Sequence, residues 1–205
     1  RSLDERVLDG SVDGAVHSMK DMPTEGPDEL VVAGIPDRAE PGDVLVTPDG
    51  AGLDNLPSGA RIGTASLRRQ AQLLAARPDL AVEPLRGNVD TRVEKLLAPS
   101  LHAEHERRLE AEEDGDDATG EFDRSAEAWF DDLAEVERRA LERRPGEPFD
   151  GIVLAAAGLA RLGLDRDVPT EPLPLAKFVP APGQGAIAVT ALDGSDASEA
   201  IHEAV

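Results

Sequence analysis

Two arginines stand at the start of a predicted helix, in the stretch Gly63-Thr64-Ala65-Ser66-Leu67-Arg68-Arg69. A short apolar strand is predicted to end at Thr64, and the hydroxyl of either Thr64 or Ser66 can cap the helix. Arginines in a first turn oppose the positive end of the helix dipole. We therefore expect Arg68 and Arg69 to face an anion, which the two guanidiniums and the free backbone N–H groups of the turn would bind.

The next predicted strand and helix repeat this arrangement. Arg86, Gly87 and Asn88 follow the strand, and Arg92 falls in the first turns of the helix. Asn88 is the expected cap, and Gly87 allows close approach of the backbone. Two such turns at the same edge of a sheet point to a ligand rich in carboxylates or phosphates.

A Lys–Asp pair, Lys20 and Asp21, follows the first predicted strand of the chain, residues 14–18. Ligands of α/β sheets bind beyond the carboxyl ends of the strands. Beside Lys20, Asp21 can remain ionised and can carry a proton or stabilise a cation, although the pair can equally be a salt bridge of a turn. His17 is expected to pack within the strand, and the scattered histidines predict no metal site.

A Pro/Gly-rich turn, residues 180–186, precedes the last predicted strand. It matches neither a phosphate-binding Walker loop nor a dinucleotide fingerprint. It is either a hinge or crossing segment, or a turn whose N–H groups and Gln184 amide contact a ligand.

Composition restricts the partners. The chain has 42 acidic and 21 basic residues, a formal net charge of −21, and 18 of its basic residues are arginine. This charge and the scarcity of aromatic residues argue against nucleic acid. The composition suits concentrated salt, the alternative being an ordinary acidic protein. The absence of cysteine excludes disulfides and thiolate metal sites, and no apolar run is long enough for a membrane span.

Alternating apolar strands and amphipathic helices predict an α/β fold. The predicted strands are residues 14–18, 30–35, 43–47, 61–64, 81–85, 151–155 and 186–190, and the predicted helices are 67–76, 89–97, 157–162 and a tail from Ser195.

Residues 99–148 stand apart because they are strongly acidic. We expect an exposed, partly disordered insertion, in which residues 135–144 form a charged helix and residues 111–121 do not pack. The alternative is a helix that docks a partner through Trp129 and Phe130.

Together these segments resemble the hydroxymethylbilane synthase family, also called porphobilinogen deaminases. The matching stretches are residues 13–21, 63–70, 85–92, 149–163 and 183–186, in the order of the family. The resemblance implies a transferase of tetrapyrrole biosynthesis that condenses four porphobilinogen molecules to hydroxymethylbilane, with loss of ammonia at each step. It also implies a dipyrromethane cofactor, held by a thioether to a cysteine in a third domain.

The resemblance implies roles for individual residues as well. Asp21 matches the catalytic carboxylate, which hydrogen-bonds pyrrole N–H groups and stabilises the cationic azafulvene formed as ammonia leaves. The residues that match cofactor and active-site contacts are Ser18, Lys20, Thr64, Ser66, Arg68, Arg69, Arg86, Gly87, Arg92 and Gln184. The four arginines among them would bind the acetate and propionate arms of the pyrroles.

The implied fold is α/β, with two lobes that resemble type II periplasmic-binding-protein domains and a third domain absent from this chain. Residues 1–37 with 180–205 are expected to belong to domain 1, and residues 42–176 to domain 2. Because neither the family's opening segment nor its cysteine-bearing domain is matched, the chain alone is expected to be inactive. We expect a cytoplasmic monomer. The alternative function is a non-catalytic anion-binding module of the periplasmic-binding-protein type.

Overall fold

The structure, a computed structural model, describes residues 2–113 and 122–205 and has the predicted mixed α/β architecture. The strands are β1 (Gly14–Ser18), β2 (Leu30–Gly34), β3 (Asp43–Val46), β4 (Arg61–Gly63), β5 (Ala81–Glu83), β6 (Gly151–Ala155), β7 (Thr170–Pro172) and β8 (Ile187–Leu192). The helices are α1 (Leu3–Leu8), α2 (Leu67–Ala76), α3 (Val89–Glu113), α4 (Ala126–Asp132), α5 (Glu135–Leu141), α6 (Ala156–Leu162) and α7 (Asp196–Ala204). Single 3-10 turns lie at Met19–Asp21, Leu53–Asn55 and Leu164–Arg166.

The chain divides into two compact units. Unit 1 comprises Arg1–Gly42, Ala155–Ala157 and Val179–Val205, and unit 2 comprises Asp43–Leu154 and Gly158–Phe178. Unit 1 thus combines both ends of the sequence, because β8 returns to pair with β1 and β2.

Unit 1 is built on an antiparallel sheet in the order β1-β8-β2. The central strand carries small residues that pack closely, and Ala188 and Ala191 are fully buried. Helix α7 lies against β2 and β8, and Ser195 caps it by accepting the Ser198 N–H. His17 is part-buried as predicted, with Nε2 3.2 Å from both Thr190 Oγ1 and Asp4 Oδ1.

Unit 2 contains a mixed sheet in the order β5-β4-β6-β3-β7. Strand β4 is parallel to β5 and β6, and β3 is antiparallel to β7. Every residue of β3 is buried, Asp43 at its start included, and so are the first four residues of β6, and the apolar runs of the two strands are typical of inner strands. The core residues are Leu45, Leu53, Leu56, Ala60, Ile62, Leu73, Leu80, Val153, Leu173 and Phe178.

The end of α3 differs from its prediction. The sequence predicts a stop at Leu97, before Pro99, whereas the helix continues to Glu113 with Pro99 inside it. An internal proline removes one backbone hydrogen bond, at a cost of about 3 kcal/mol. Packing offsets this cost, because α5 lies against α3 and its Val136 and Ala140 are buried.

The described residues of 99–148 are mostly helical rather than irregular. The charged helix predicted over 135–144 is α5, which ends earlier, at Leu141. Trp129, considered above for docking a partner, stacks on His105 at a centroid distance of 5.9 Å, and the Arg108 guanidinium lies 5.2 Å from its ring. Most of the stretch predicted not to pack, residues 114–121, lies outside the described residues.

Helix α1 and strand β7, which are short elements without a clear period, were not predicted, and α4 corresponds to the helix considered as the alternative around Trp129 and Phe130. The sequence analysis also placed the last strand one residue too early at its start and two residues too early at its end, since β8 spans Ile187–Leu192. No helix in the described part of the chain combines the length and apolar character needed to cross a bilayer.

Candidate functional site

The turn between β4 and α2 has the predicted form. Ser66 is the cap of α2, since its Oγ accepts the Arg69 N–H at 3.4 Å. Thr64 instead shapes the turn: its N–H donates to the Glu83 carbonyl at 2.8 Å, and its Oγ1 accepts the Ser66 N–H at 3.2 Å. Thr64 is buried, so its hydroxyl holds the backbone just before the two arginines.

A carboxylate of the chain itself sits at the first turn of α2. Asp43 Oδ2 accepts from Arg68 Nη2 at 2.8 Å, and Asp43 Oδ1 accepts from Arg69 Nη2 at 2.7 Å. The Asp43 side chain is fully buried, whereas those of Arg69 and Arg68 are 7% and 25% exposed. Part of the positive charge at this turn is thus paired with a carboxylate of the chain itself, which the sequence did not indicate, and an anionic ligand at the turn stays a prediction.

One carboxylate does not balance the positive charge around Arg69. Burial, and after it the charge of Arg69, lowers the pKa of Arg92 below its usual range. Arg69 Nη1 donates to the Val153 carbonyl at 3.0 Å, but its buried Nε has no hydrogen-bond acceptor among the described residues. Two features thus favour binding of a further anion. The buried Nε of Arg69 lacks an acceptor among the described residues, and the positive charges of Arg69 and Arg92 repel each other.

The turn between β5 and α3 is held by two cations of α3. Gly87 has φ of +132°, and a Cβ there would lie 2.8 Å from Thr91 Cγ2. Arg92 Nε donates to the Gly87 carbonyl at 2.7 Å, and Lys95 Nζ donates to the Arg86 carbonyl at 2.9 Å. The Arg92 N–H donates to the Asn88 carbonyl at 3.0 Å, so α3 begins after Asn88 as predicted.

The Lys–Asp pair of unit 1 lies on an exposed 3-10 turn, Met19–Asp21, directly after Ser18 at the end of β1. The Met19 N–H donates to the Ala186 carbonyl at 3.1 Å. Gly183 has φ of +69°, and a Cβ there would approach Met19 Cγ to 3.0 Å. The 180–186 segment therefore supports the turn that presents Lys20 and Asp21.

The structure places Gln184, predicted as a ligand contact, in the interior of unit 1. It is fully buried, and its Nε2 donates to the carbonyls of Pro41 at 2.7 Å and Gly42 at 3.3 Å. The backbone carbonyl of Gln184 accepts a hydrogen bond from Arg38 Nε at 2.9 Å. The Pro/Gly turn directs the side chain inward, so Gln184 positions backbone within unit 1.

The described residues contain no group of three or more His, Asp or Glu side chains arranged to hold a metal ion. The polar groups gathered in unit 2 are cations and backbone donors, which bind anions. Unit 1 presents a carboxylate and an amine on the turn after Ser18.

A family model and the curated relatives point to the same family. A family model described as "Porphobilinogen deaminase, dipyromethane cofactor binding domain" matches residues 1–104 and 134–200. The internal segment outside this match, 105–133, is shorter than the insertion predicted over 99–148.

Curated relatives carry the same name. A "Probable porphobilinogen deaminase" of Halobacterium salinarum is 47% identical over 244 residues, covering all of this chain and 62% of the relative. One of Methanococcoides burtonii is 41% identical, covering 98% of this chain and 48% of the relative. The "Porphobilinogen deaminase" of Rubrobacter xylanophilus is 41% identical, covering 100% and 51%. The chain spans about half to three fifths of the length of these relatives.

Proposed function

The chain belongs to the porphobilinogen deaminase family, and from this we propose that it forms part of a hydroxymethylbilane synthase. In this reaction four porphobilinogen molecules are joined. At each step the bond between the aminomethyl carbon and nitrogen breaks, ammonia leaves, and a carbon–carbon bond forms to the next pyrrole, which loses a proton. Water then releases the product as hydroxymethylbilane.

The observation that carries the proposal is the excess of positive charge around Arg69. Each porphobilinogen has acetate and propionate arms, so every added unit brings two carboxylates. Buried or part-buried guanidiniums bind carboxylates with little screening by salt, which allows a chain of net charge −21 to bind polyanions. Of Asp43, Arg68 and Arg69, Arg68 has the most exposed side chain. Its guanidinium can therefore donate both to Asp43 and to a ligand.

The same residues fit a dipyrromethane cofactor, which also carries carboxylate arms. The buried Nε of Arg69, which lacks an acceptor among the described residues, matches such a group. In the proposal, Thr64, Ser66, Arg68, Arg69, Arg86, Gly87 and Arg92 of unit 2 and Ser18 and Lys20 of unit 1 hold the cofactor. When bound, the cofactor provides the end to which pyrrole units are added. The chain contains no cysteine, so the thioether anchor is not among its residues.

Asp21 is the proposed catalytic residue. It is exposed on a turn that Gly183 and the Ala186 carbonyl support, so its carboxylate is accessible to a ligand. Its carboxylate would accept pyrrole N–H groups and stabilise the positive charge that develops as ammonia leaves porphobilinogen.

We further propose a cytoplasmic protein whose two units are of the type II periplasmic-binding-protein kind, as the sequence resemblance implies. The acidic, lysine-poor composition and the 47% identity to the Halobacterium salinarum relative support function at high salt.

The test uses the protein at its complete length, in molar KCl, with porphobilinogen as substrate. We expect four ammonia molecules for each hydroxymethylbilane formed. Arg68→Gln should raise KM about 10- to 100-fold, because it removes a hydrogen bond to a charged group. Arg166→Gln, which changes an exposed arginine of the same unit, should leave KM unchanged. Binding of porphobilinogen without release of ammonia would contradict the proposal and would favour a binding module.

A further inference from the structure

Unit 2 contains a second concentration of positive charge, in a pocket of about 520 Å³. Five cations line it: Arg61, Arg86, Lys95, Arg143 and Arg144. The one carboxylate in the lining, Glu147, has a side chain that is 85% exposed. We call this site the cationic pocket. In a chain with net charge −21, five cations around one cavity are unexpected unless the cavity receives an anion.

The cations of this pocket differ in their partners. Arg143 pairs with Glu94, and Arg61 pairs with Glu83 at 2.9 Å and with Glu147 at 3.2 Å. These pairs hold the walls in place.

Arg86, Lys95 and Arg144 have N–H donors that could bind a ligand. The guanidiniums of Arg86 and Arg144 form no hydrogen bond or ion pair with any residue that the structure describes. Lys95 Nζ donates to the Arg86 carbonyl at 2.9 Å and keeps two further N–H donors. The pocket can therefore offer two guanidinium forks and an ammonium to a ligand.

The rest of the lining is apolar. Its accessible apolar surface comes from Pro84, which is exposed, and Phe149, which is part-buried, while Leu85 and Ala98 form the buried base. The Arg61 guanidinium lies over the Phe149 ring, with 5.4 Å between the guanidinium carbon and the ring centroid. This contact holds the ring at the pocket wall. An inorganic anion would not use this surface, whereas an organic anion with a flat body would bury apolar area against it.

We propose that the cationic pocket binds a small organic polycarboxylate with a flat apolar body. Guanidinium forks match carboxylates in a bidentate manner, and several cations around one partly apolar cavity favour a ligand with more than one carboxylate. The site includes Lys95, Arg143 and Arg144, none of which belongs to the proposed cofactor contacts. It shares Arg86 with them but does not depend on the proposed reaction.

The test is calorimetric titration of the complete-length protein with benzene-1,3,5-tricarboxylate at a fixed KCl concentration. We expect saturable binding at one site, with a Kd that Arg144→Gln raises at least tenfold. The matched control, Arg139→Gln, changes an arginine of α5 that pairs with Glu135 on the surface, and should change Kd less than twofold. Equal effects of the two substitutions, or none, would overturn the proposal.

Two further titrations separate the alternatives. Inorganic phosphate should bind at least tenfold more weakly than the tricarboxylate, and equal affinity would contradict a site for an organic ligand. Binding that Arg68→Gln abolishes and Arg144→Gln leaves intact would place the tricarboxylate at the α2 turn and overturn this inference. That outcome would leave the proposed function standing, whereas failure of the porphobilinogen assay would leave the cationic pocket unaffected.

Discussion

The Asp43 carboxylate binds Arg69 Nη2 at 2.7 Å, with Asp43 fully buried and Arg69 only 7% exposed. Arg69 also donates to the Val153 carbonyl, so strands β3 and β6 together fix the direction of its guanidinium. A buried ion pair of this kind contributes little net stability compared with an apolar pair, but removal of one partner is costly. Asp43 therefore allows the Arg69 guanidinium to be buried at the α2 turn, because burial of an arginine without a counter-charge is costly.

Asp43→Asn should lower the free energy of unfolding by about 3 to 5 kcal/mol, because two guanidiniums lose their buried counter-charge. Glu135→Gln, which breaks the exposed pair with Arg139, should change it by less than about 1 kcal/mol. Denaturant unfolding at constant KCl measures both. An equal loss of free energy of unfolding in the two variants would show that the buried Asp43 contributes no more to stability than the exposed Glu135.

Gly87→Ala should destabilise the protein by about 1 to 3 kcal/mol, because φ is +132° and the new Cβ would meet Thr91 Cγ2 at 2.8 Å. The matched control is Gly26→Ala, where a Cβ meets nothing within 4 Å and φ is not positive. Thermal unfolding of the two variants compares them directly. A Gly87→Ala protein as stable as the control would refute a strained turn at this position.

The Arg77–Asp79 pair predicts a pH dependence. Hydrogen bonding to Arg77 lowers the pKa of Asp79 to about 2. Because the folded pKa lies below the ordinary value of about 3.9, the stabilisation is present above pH 4 and is lost as the pH falls towards 2. The Tm difference between wild type and Asp79→Asn should therefore shrink over this range.

The control for this experiment is Asp28→Asn, an exposed aspartate, whose Tm difference from wild type should stay constant. A difference for Asp79→Asn that grows on acidification would contradict the direction of the shift.

Removal of salt should lower the Tm of the wild-type protein. Its 42 acidic residues repel one another, and screening is strong only when the Debye length is short, about 3 Å at 1 M salt. The measurement is Tm between about 0.1 and 3 M KCl. A Tm that rises as KCl is withdrawn would contradict this interpretation of the composition.

Local patterns were the most predictable part of the fold. The predictions for β1, β6 and α2 agree with the observed bounds, because their periodicity and the cap at Ser66 are properties of adjacent residues. The end of α3 was not predictable in this way. Its continuation past Pro99 depends on contact with α5, which lies more than thirty residues further along the chain.

The candidate site shows the same division. Arg68 and Arg69 at a helix start indicated an anion, but its source, Asp43, is set by the order of strands in the sheet. One signal was present: Asp43 opens a strand whose other residues are all apolar, and a buried aspartate requires a partner. Gln184 had no such signal, since an amide after a Pro/Gly turn can point towards a ligand or towards backbone carbonyls.

The most direct test of the proposed function compares Asp21→Asn with Asp28→Asn in the complete-length protein, both exposed aspartates of unit 1. Asp21→Asn should reduce kcat for hydroxymethylbilane formation at least about a hundredfold, because it removes the charge that stabilises the developing cation. Binding of porphobilinogen should be retained, and Asp28→Asn should have the wild-type kcat. An Asp21→Asn protein that forms hydroxymethylbilane at the wild-type rate would contradict the account.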